Sequence, residues 1–63
     1  MKILIRQIRE KKDVSRKKLS EITNISLRAL VNYESGDRSP TLNHLKSISD
    51  ALNCTIEDLY SDY

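Results

Sequence analysis

Arg28 and Asn32 stand four residues apart in the stretch from Ser26 to Glu34. On a helix that spacing brings both side chains to one face. A guanidinium can donate to both acceptors on the edge of a guanine, and a carboxamide can pair donor and acceptor with adenine. Leu27 beside them would be misplaced in water, yet it suits the methyl group of a thymine. The competing reading is that Leu27 and Val31, also four apart, widen a buried stripe. Leu30, Tyr33 and Ala29 take the core side under either reading.

A second group of residues suits an anion rather than a base. Ser15, Arg16 and Lys17 gather where a helix can begin, and there free backbone N–H groups and the helix dipole already favour a phosphate. Arg16 has the reach for a phosphate or a flanking base. Ser26, Arg38 and Ser39 occupy two further helix-start or loop positions suited to phosphate oxygens. Charge is distributed to match. Residues 1–40 hold ten Lys and Arg against five acids, a net of +5, whereas residues 41–63 hold one against four, a net of −3. A polyanion is attracted by the first end and repelled by the second, which orients it. The plainer account of the same charges is a set of solvated helix faces.

These side chains need short helices to hold them. Ile5 and Ile8 lie three apart between Ile3 and Lys12, with basic residues at the other positions, so a first helix is expected there. Asp13 is a plausible stop and Val14 re-enters the core. Ser15 caps a second helix carrying Leu19 and Ile22 inward, Thr23-Asn24 breaks it, and Asn24 is suited to a positive φ. Ile25 is expected to be buried, and Ser26 caps a third helix through Leu30 and Tyr33. Two short helices on a tight joint between Ser15 and Glu34 have the dimensions of a helix-turn-helix. Residues 34–40 contain the only Gly and the only Pro and read as a loop. Thr41 caps a fourth helix whose Leu42, Leu45, Ile48 and Leu52 recur at three, three and four, with Asn53 at its end. Thr55 and Asp58 form a variant capping box for a fifth helical turn carrying Ile56 and Leu59. The expected fold class is all-α, with five helices around one core and one domain over residues 1–63.

Composition excludes several alternatives. The chain has 63 residues, 38% hydrophobic and 32% charged. A chain of that length buries only about 60% of its unfolded surface, so it has no room for a lidded catalytic cleft. No nucleophile–base or carboxylate pair can be placed, and no enzyme is expected. The single cysteine, Cys54, cannot form an intramolecular disulfide and reads as a small buried hydrophobe. With His44 as the only histidine, no zinc set converges and no metal or cofactor is expected. No small-ligand site is evident. No apolar run approaches the roughly 18 residues that span a membrane, and Met1 to Ile5 is too short for a signal peptide, so the cytoplasm is the expected compartment.

The runs Ile5 to Arg9, Val14 to Ser20, Asn24 to Ser26, Leu30 to Glu34, Gly36 to Leu42 and Ala51 to Tyr60 together resemble the Cro and phage-repressor helix-turn-helix family, the XRE family. The resemblance covers nearly the whole chain, and Tyr33-Glu34-x-Gly36-x-Arg38-x-Pro40 is its most specific part. It implies a compact five-helix lambda-repressor-like DNA-binding domain with the helix-turn-helix at helices 2 and 3. Helix 3 is then the reader, and Arg16, Leu27, Arg28 and Asn32 hold positions that commonly touch DNA. It also implies a brace between Arg9 and Glu34, whose plainer alternative is a surface ion pair worth under about 1 kcal/mol. Three residues depart from the family pattern: Arg16 replaces the usual Gln, Asn24 the usual turn Gly, and Leu27 a more often polar residue.

The resulting expectation is a sequence-specific binder of double-stranded DNA, a transcriptional repressor acting as a homodimer on a palindrome. A single small domain covers roughly 600–1,000 Å² of DNA surface, which favours pairing. Ile56, Leu59, Tyr60 and Tyr63, at the acidic end, are the expected dimer surface. An antitoxin or other protein-interaction module on the same fold is the alternative, as is a restriction-modification controller. The short remainder Ser61-Asp62-Tyr63 after the last helix favours the regulator.

Overall fold

The computed structural model describes residues 2–61. Four α-helices follow one another, α1 (Ile5–Lys11), α2 (Arg16–Thr23), α3 (Leu27–Ser35) and α4 (Leu42–Leu52). Where a fifth helix was expected there is a single 3₁₀ turn, Ile56–Leu59. Four residues between a cap and an extended Tyr60 are too few to close an α-helical ladder.

The all-α expectation also needs correcting. Lys2–Ile3 (β1) and Tyr60–Ser61 (β2) pair antiparallel, with Lys2 opposite Ser61 and Ile3 opposite Tyr60. The Leu4 N–H then donates to the Leu59 carbonyl at 2.7 Å. Ile3, expected in the first helix, is drawn out of it by this pairing. Leu4, now at the N-cap, has no side-chain oxygen to hold the first turn, so α1 begins only at Ile5.

The other helix starts follow the side chains at their caps. Ser15 accepts from the Lys18 N–H at 3.0 Å, Ser26 from Ala29 at 3.1 Å and Thr41 from His44 at 3.1 Å. Each satisfies an N–H that a helix start leaves without a carbonyl. The stops are equally local. Asp13, Asn24 and Asn53 adopt φ of 59°, 60° and 55°, and Gly36 adopts 88°. Short polar side chains tolerate this left-handed region and Gly enters it without steric cost. Asn24 therefore makes the turn at which the family more often has Gly.

Ile5, Leu19, Ile25, Leu30, Tyr33, Leu45, Ile48, Leu52 and Leu59 form the core. Two expected members are absent from it. Ile22 shares the Leu19 side of α2 but sits in its last turn, where no neighbouring element covers it, and it is exposed. Leu42 is the first residue of α4 and projects into solvent beyond the core that Leu45 begins. Leu59 is fully buried, so it closes the core and offers no side chain to a dimer surface. Among the described residues no helix is long and apolar enough to cross a membrane.

The 3₁₀ turn carries the capping box as a reciprocal pair. Thr55 N–H donates to Asp58 Oδ2 at 3.1 Å, and Asp58 N–H to Thr55 Oγ1 at 3.2 Å. Bonds from the Thr55 backbone and side chain hold the Asp58 carboxyl below its ordinary value of 3.8.

Two predictions follow from this packing. Ile48→Ala is expected to cost about 2–5 kcal/mol, most of the stability available to so small a domain, while Leu42→Ala stays within about 0.5 kcal/mol in urea unfolding. A carboxyl with a lowered folded pKa stabilises above its unfolded value and ceases to do so as pH falls through the folded one. Asp58→Asn should accordingly flatten the acid limb of a stability-against-pH curve and leave its neutral region with the smaller pH dependence it already has.

Candidate nucleic-acid interface

Helix α3 has two unlike sides. Leu30 and Tyr33 are buried against the core, and Tyr33 is tied further by its hydroxyl, 2.6 Å from His44 Nδ1 on α4. The other side carries Leu27 and Arg28 in the first turn, then Val31 and Asn32 one turn on. Leu27 and Val31 remain 47% and 38% exposed, so they do not widen the buried stripe. Arg28 is exposed and Asn32 half-buried. No hydrogen bond or ion pair occupies the side chain of either among the described residues. A guanidinium and a carboxamide one turn apart, both without internal acceptors, leave their donor and acceptor groups for an outside partner.

Helix α2 meets this element across a turn locked by side chains. Ser20 Oγ donates to the Ile25 carbonyl at 2.6 Å, and Thr23 Oγ1 accepts from the Ile25 N–H at 3.3 Å. Thr23 also donates to the Leu19 carbonyl at 2.7 Å. Ser15 and Lys17 are exposed at the start of α2 and Ser26 at the start of α3. Ser15 and Ser26 already use their oxygens as caps, so their hydroxyl hydrogens are what they can still give to an anion.

Beyond α3, Arg38 and Ser39 lie exposed on the loop before α4. The loop is shaped by the Arg38 N–H donating to the Asn32 carbonyl at 3.2 Å and by the Ser35 hydroxyl donating to the same carbonyl at 3.1 Å. A shallow cleft of about 620 Å³ opens between this loop and the start of α1. Lys2, Arg6 and Arg38 bring three cations to it, and Ser39 and Glu34 also line it.

Glu34 is the centre of the assembly. Its side chain is only 3% exposed. Arg9, 9% exposed on α1, donates from Nε to Oε2 at 3.1 Å and from Nη2 to Oε1 at 3.2 Å. Its third nitrogen donates to the Val14 carbonyl at 3.0 Å. A two-bond fork of this kind fixes orientation as well as distance. Arg16 arrives from α2 and donates to Oε1 from both Nε and Nη2, at 3.3 and 3.1 Å. One carboxylate therefore joins α1, α2 and α3. The second cation was not foreseen. Its one signal is the departure at position 16, where a charged residue stands in place of a neutral amide, within reach of an acid already assigned a partner. His44 as the partner of Tyr33 was also missed, since nothing in the spacing distinguishes it from a solvent-facing residue of α4.

Elsewhere little chemistry gathers. Among the described residues no group of His, Cys, Asp and Glu converges on a metal position. Burial, with Asp58 adding to it, pushes the half-buried Cys54 thiol up, which keeps it protonated and unreactive near neutrality. Ile56 and Tyr60 are half-buried at the acidic end, and Tyr63 lies outside the described residues.

Comparison with protein families agrees with this geometry. A helix-turn-helix family model matches residues 5–59, from the start of α1 to the end of the 3₁₀ turn. The chain belongs to this Cro/C1-type family, the XRE family, whose members are DNA-binding transcriptional regulators. No curated protein matches the chain.

The shared carboxylate predicts an asymmetry. Removing Glu34 strands the buried Arg9 charge, and Glu34→Ala is expected to cost about 3–5 kcal/mol. Arg9→Met leaves Glu34 paired with Arg16, and its cost should be smaller by about 1 kcal/mol or more. Equal losses in denaturant unfolding would mean that Arg16 does not carry the charge of Glu34.

Proposed function

We infer that this helix-turn-helix protein is a sequence-specific repressor that binds a palindromic operator as a homodimer, with α3 in the major groove. The observation that carries the reading is the outer side of α3. There, among the described residues, the side chains of Arg28 and Asn32 have no internal hydrogen-bond partner, and Leu27 stays exposed beside them. A helix held from behind by Leu30 and Tyr33 presents this side as a rigid unit, as groove recognition requires. Arg28 and Asn32 read purine edges and Leu27 a thymine methyl, while Val31 borders them. Ser15, Lys17, Ser26, Arg38 and Ser39 hold phosphates and set the register without reading sequence. The Arg9–Glu34 pair braces the reader against α1.

Repression needs nothing beyond occupancy, because a bound protein excludes others from the same stretch of DNA. Pairing of two copies follows from the small surface that one domain lays on DNA, and it sets the two reader helices about 34–36 Å apart. Ile56 and Tyr60, half-buried apolar side chains near the C-terminal end and away from the outer side of α3, are the proposed contact between copies.

Selection of bound duplexes from a random library should return a symmetric consensus, with half-sites about one helical turn apart. Arg28→Ala should lose about 1–3 kcal/mol on the selected duplex and little on random DNA. Lys17→Ala should weaken both alike and lower the slope of log affinity against log salt by about 0.9 for each bound copy. If Arg28→Ala lost the same amount on both, α3 would not be reading bases through that residue. A monomer in sedimentation at tens of micromolar, with an asymmetric consensus, would remove the homodimer.

A further inference from the structure

Arg16 is the first residue of α2, and its guanidinium is folded back onto α3. Nε and Nη2, which form one edge of the planar fork, both donate to Glu34 Oε1 at 3.3 and 3.1 Å. The opposite edge, Nη1 together with the second hydrogen of Nη2, has no acceptor among the described residues, and the side chain keeps 36% of its surface exposed. Arg9 is unlike it. All three of the Arg9 nitrogens donate within the protein, two to Glu34 and one to Val14. Two guanidiniums on one carboxylate leave a single positive charge in excess, and it resides on the accessible member. Ser15 and Lys17, both exposed, flank it in the sequence.

We propose that Glu34 is a positioning residue for a DNA contact made by Arg16: it grips one edge of the guanidinium and aims the other at a backbone phosphate. This rests on the reading of α2 and α3 as the DNA-facing pair. Phosphate is favoured over base for two reasons. The first helix of such a pair crosses the sugar-phosphate backbone, not the floor of the groove. A side chain anchored at Nε also has its reach shortened, so the base edges that an extended Arg would touch lie beyond it. The free edge presents two parallel N–H donors, which match two oxygens of one phosphate. The anchoring also lowers the cost of contact, since rotamer freedom otherwise lost on binding is given up when the chain folds. At position 16 the contact is therefore made by a residue whose orientation is set by the same carboxylate that braces the reader helix.

The test uses the duplex selected from the random library and copies of it in which each phosphate in turn is replaced by a neutral methylphosphonate. Wild-type protein should show, in each half-site, a phosphate at the position facing Arg16 whose neutralisation lowers affinity about tenfold, and Arg16→Gln should lose that sensitivity while keeping those at other phosphates. The same variant should weaken binding to selected and random duplexes alike, with a salt slope smaller by about 0.9 for each bound copy. Arg16→Gln leaves the Arg9–Glu34 pair intact, so the scan is made on a folded protein, verified by its melting curve. In Glu34→Gln, studied at a temperature where it is folded, sensitivity at that phosphate should fall below twofold even if total affinity rises from the added positive charge. Identical scans for wild type and Arg16→Gln would overturn the contact. Loss confined to the selected sequence, with every phosphate unaffected, would make Arg16 a base reader and overturn it too. Undiminished sensitivity in Glu34→Gln would overturn the positioning role. Failure of the wild-type protein to select any duplex would instead remove the functional reading beneath it.

Discussion

A carboxylate taken out of water requires compensation, and in this chain Glu34 obtains it from two guanidiniums on two other helices. Burying a charge unpaired would cost more than a domain of this size can supply. The pairing therefore dictates where α1 and α2 can lie relative to α3. Arg9 fixes α1 through a fork and a third bond to the Val14 carbonyl, at the point where the chain turns toward α2. Arg16 then fixes the start of α2 to the far end of α3. The hydrophobic core sets how far apart these helices sit; the charged junction sets how they are rotated.

Around that junction the chain is divided by very short signals. Ser15, Ser26 and Thr41 each begin a helix with one side-chain bond, and Asp13, Asn24, Gly36 and Asn53 each end or redirect one by turning left-handed. Helices of seven to eleven residues are marginal alone, so these caps matter mainly for stating where each begins. Their stability comes from the apolar residues they bury together. The reader helix gains a second restraint from the Tyr33–His44 bond, which holds its inner side to α4.

Much of this was legible in residue spacing. The caps at Ser15, Ser26 and Thr41, the left-handed Asn24 and Asn53, and the reciprocal Thr55–Asp58 box depend on interactions within four residues, and local sequence reports them directly. What escaped depends on residues far apart. The β1–β2 pair joins positions some sixty residues distant and has no periodicity of its own, so Ile3 reads as the start of a helix. Ile22 and Leu42 satisfy helical spacing yet sit at helix ends where no neighbour covers them. Leu59 reads equally well as core or as surface until its surroundings are known. At the candidate interface, the identity of α3 and its outward residues was readable from type and spacing. The hold of Glu34 on Arg16 was not, because it spans two helices and involves a substitution away from the family pattern.

That the side chains of Arg28 and Asn32 make no internal bonds among the described residues has an evolutionary side. A residue that supports nothing else in the fold can be exchanged with little effect on stability, so the outer side of α3 is free to drift toward new sequences. Position 16 is intermediate, since an arginine there adds a second cation to a buried acid that Arg9 already holds through two bonds. Arg9 and Glu34 are the pair that cannot change one at a time, whereas the outer side of α3 can be rewritten residue by residue without disturbing them.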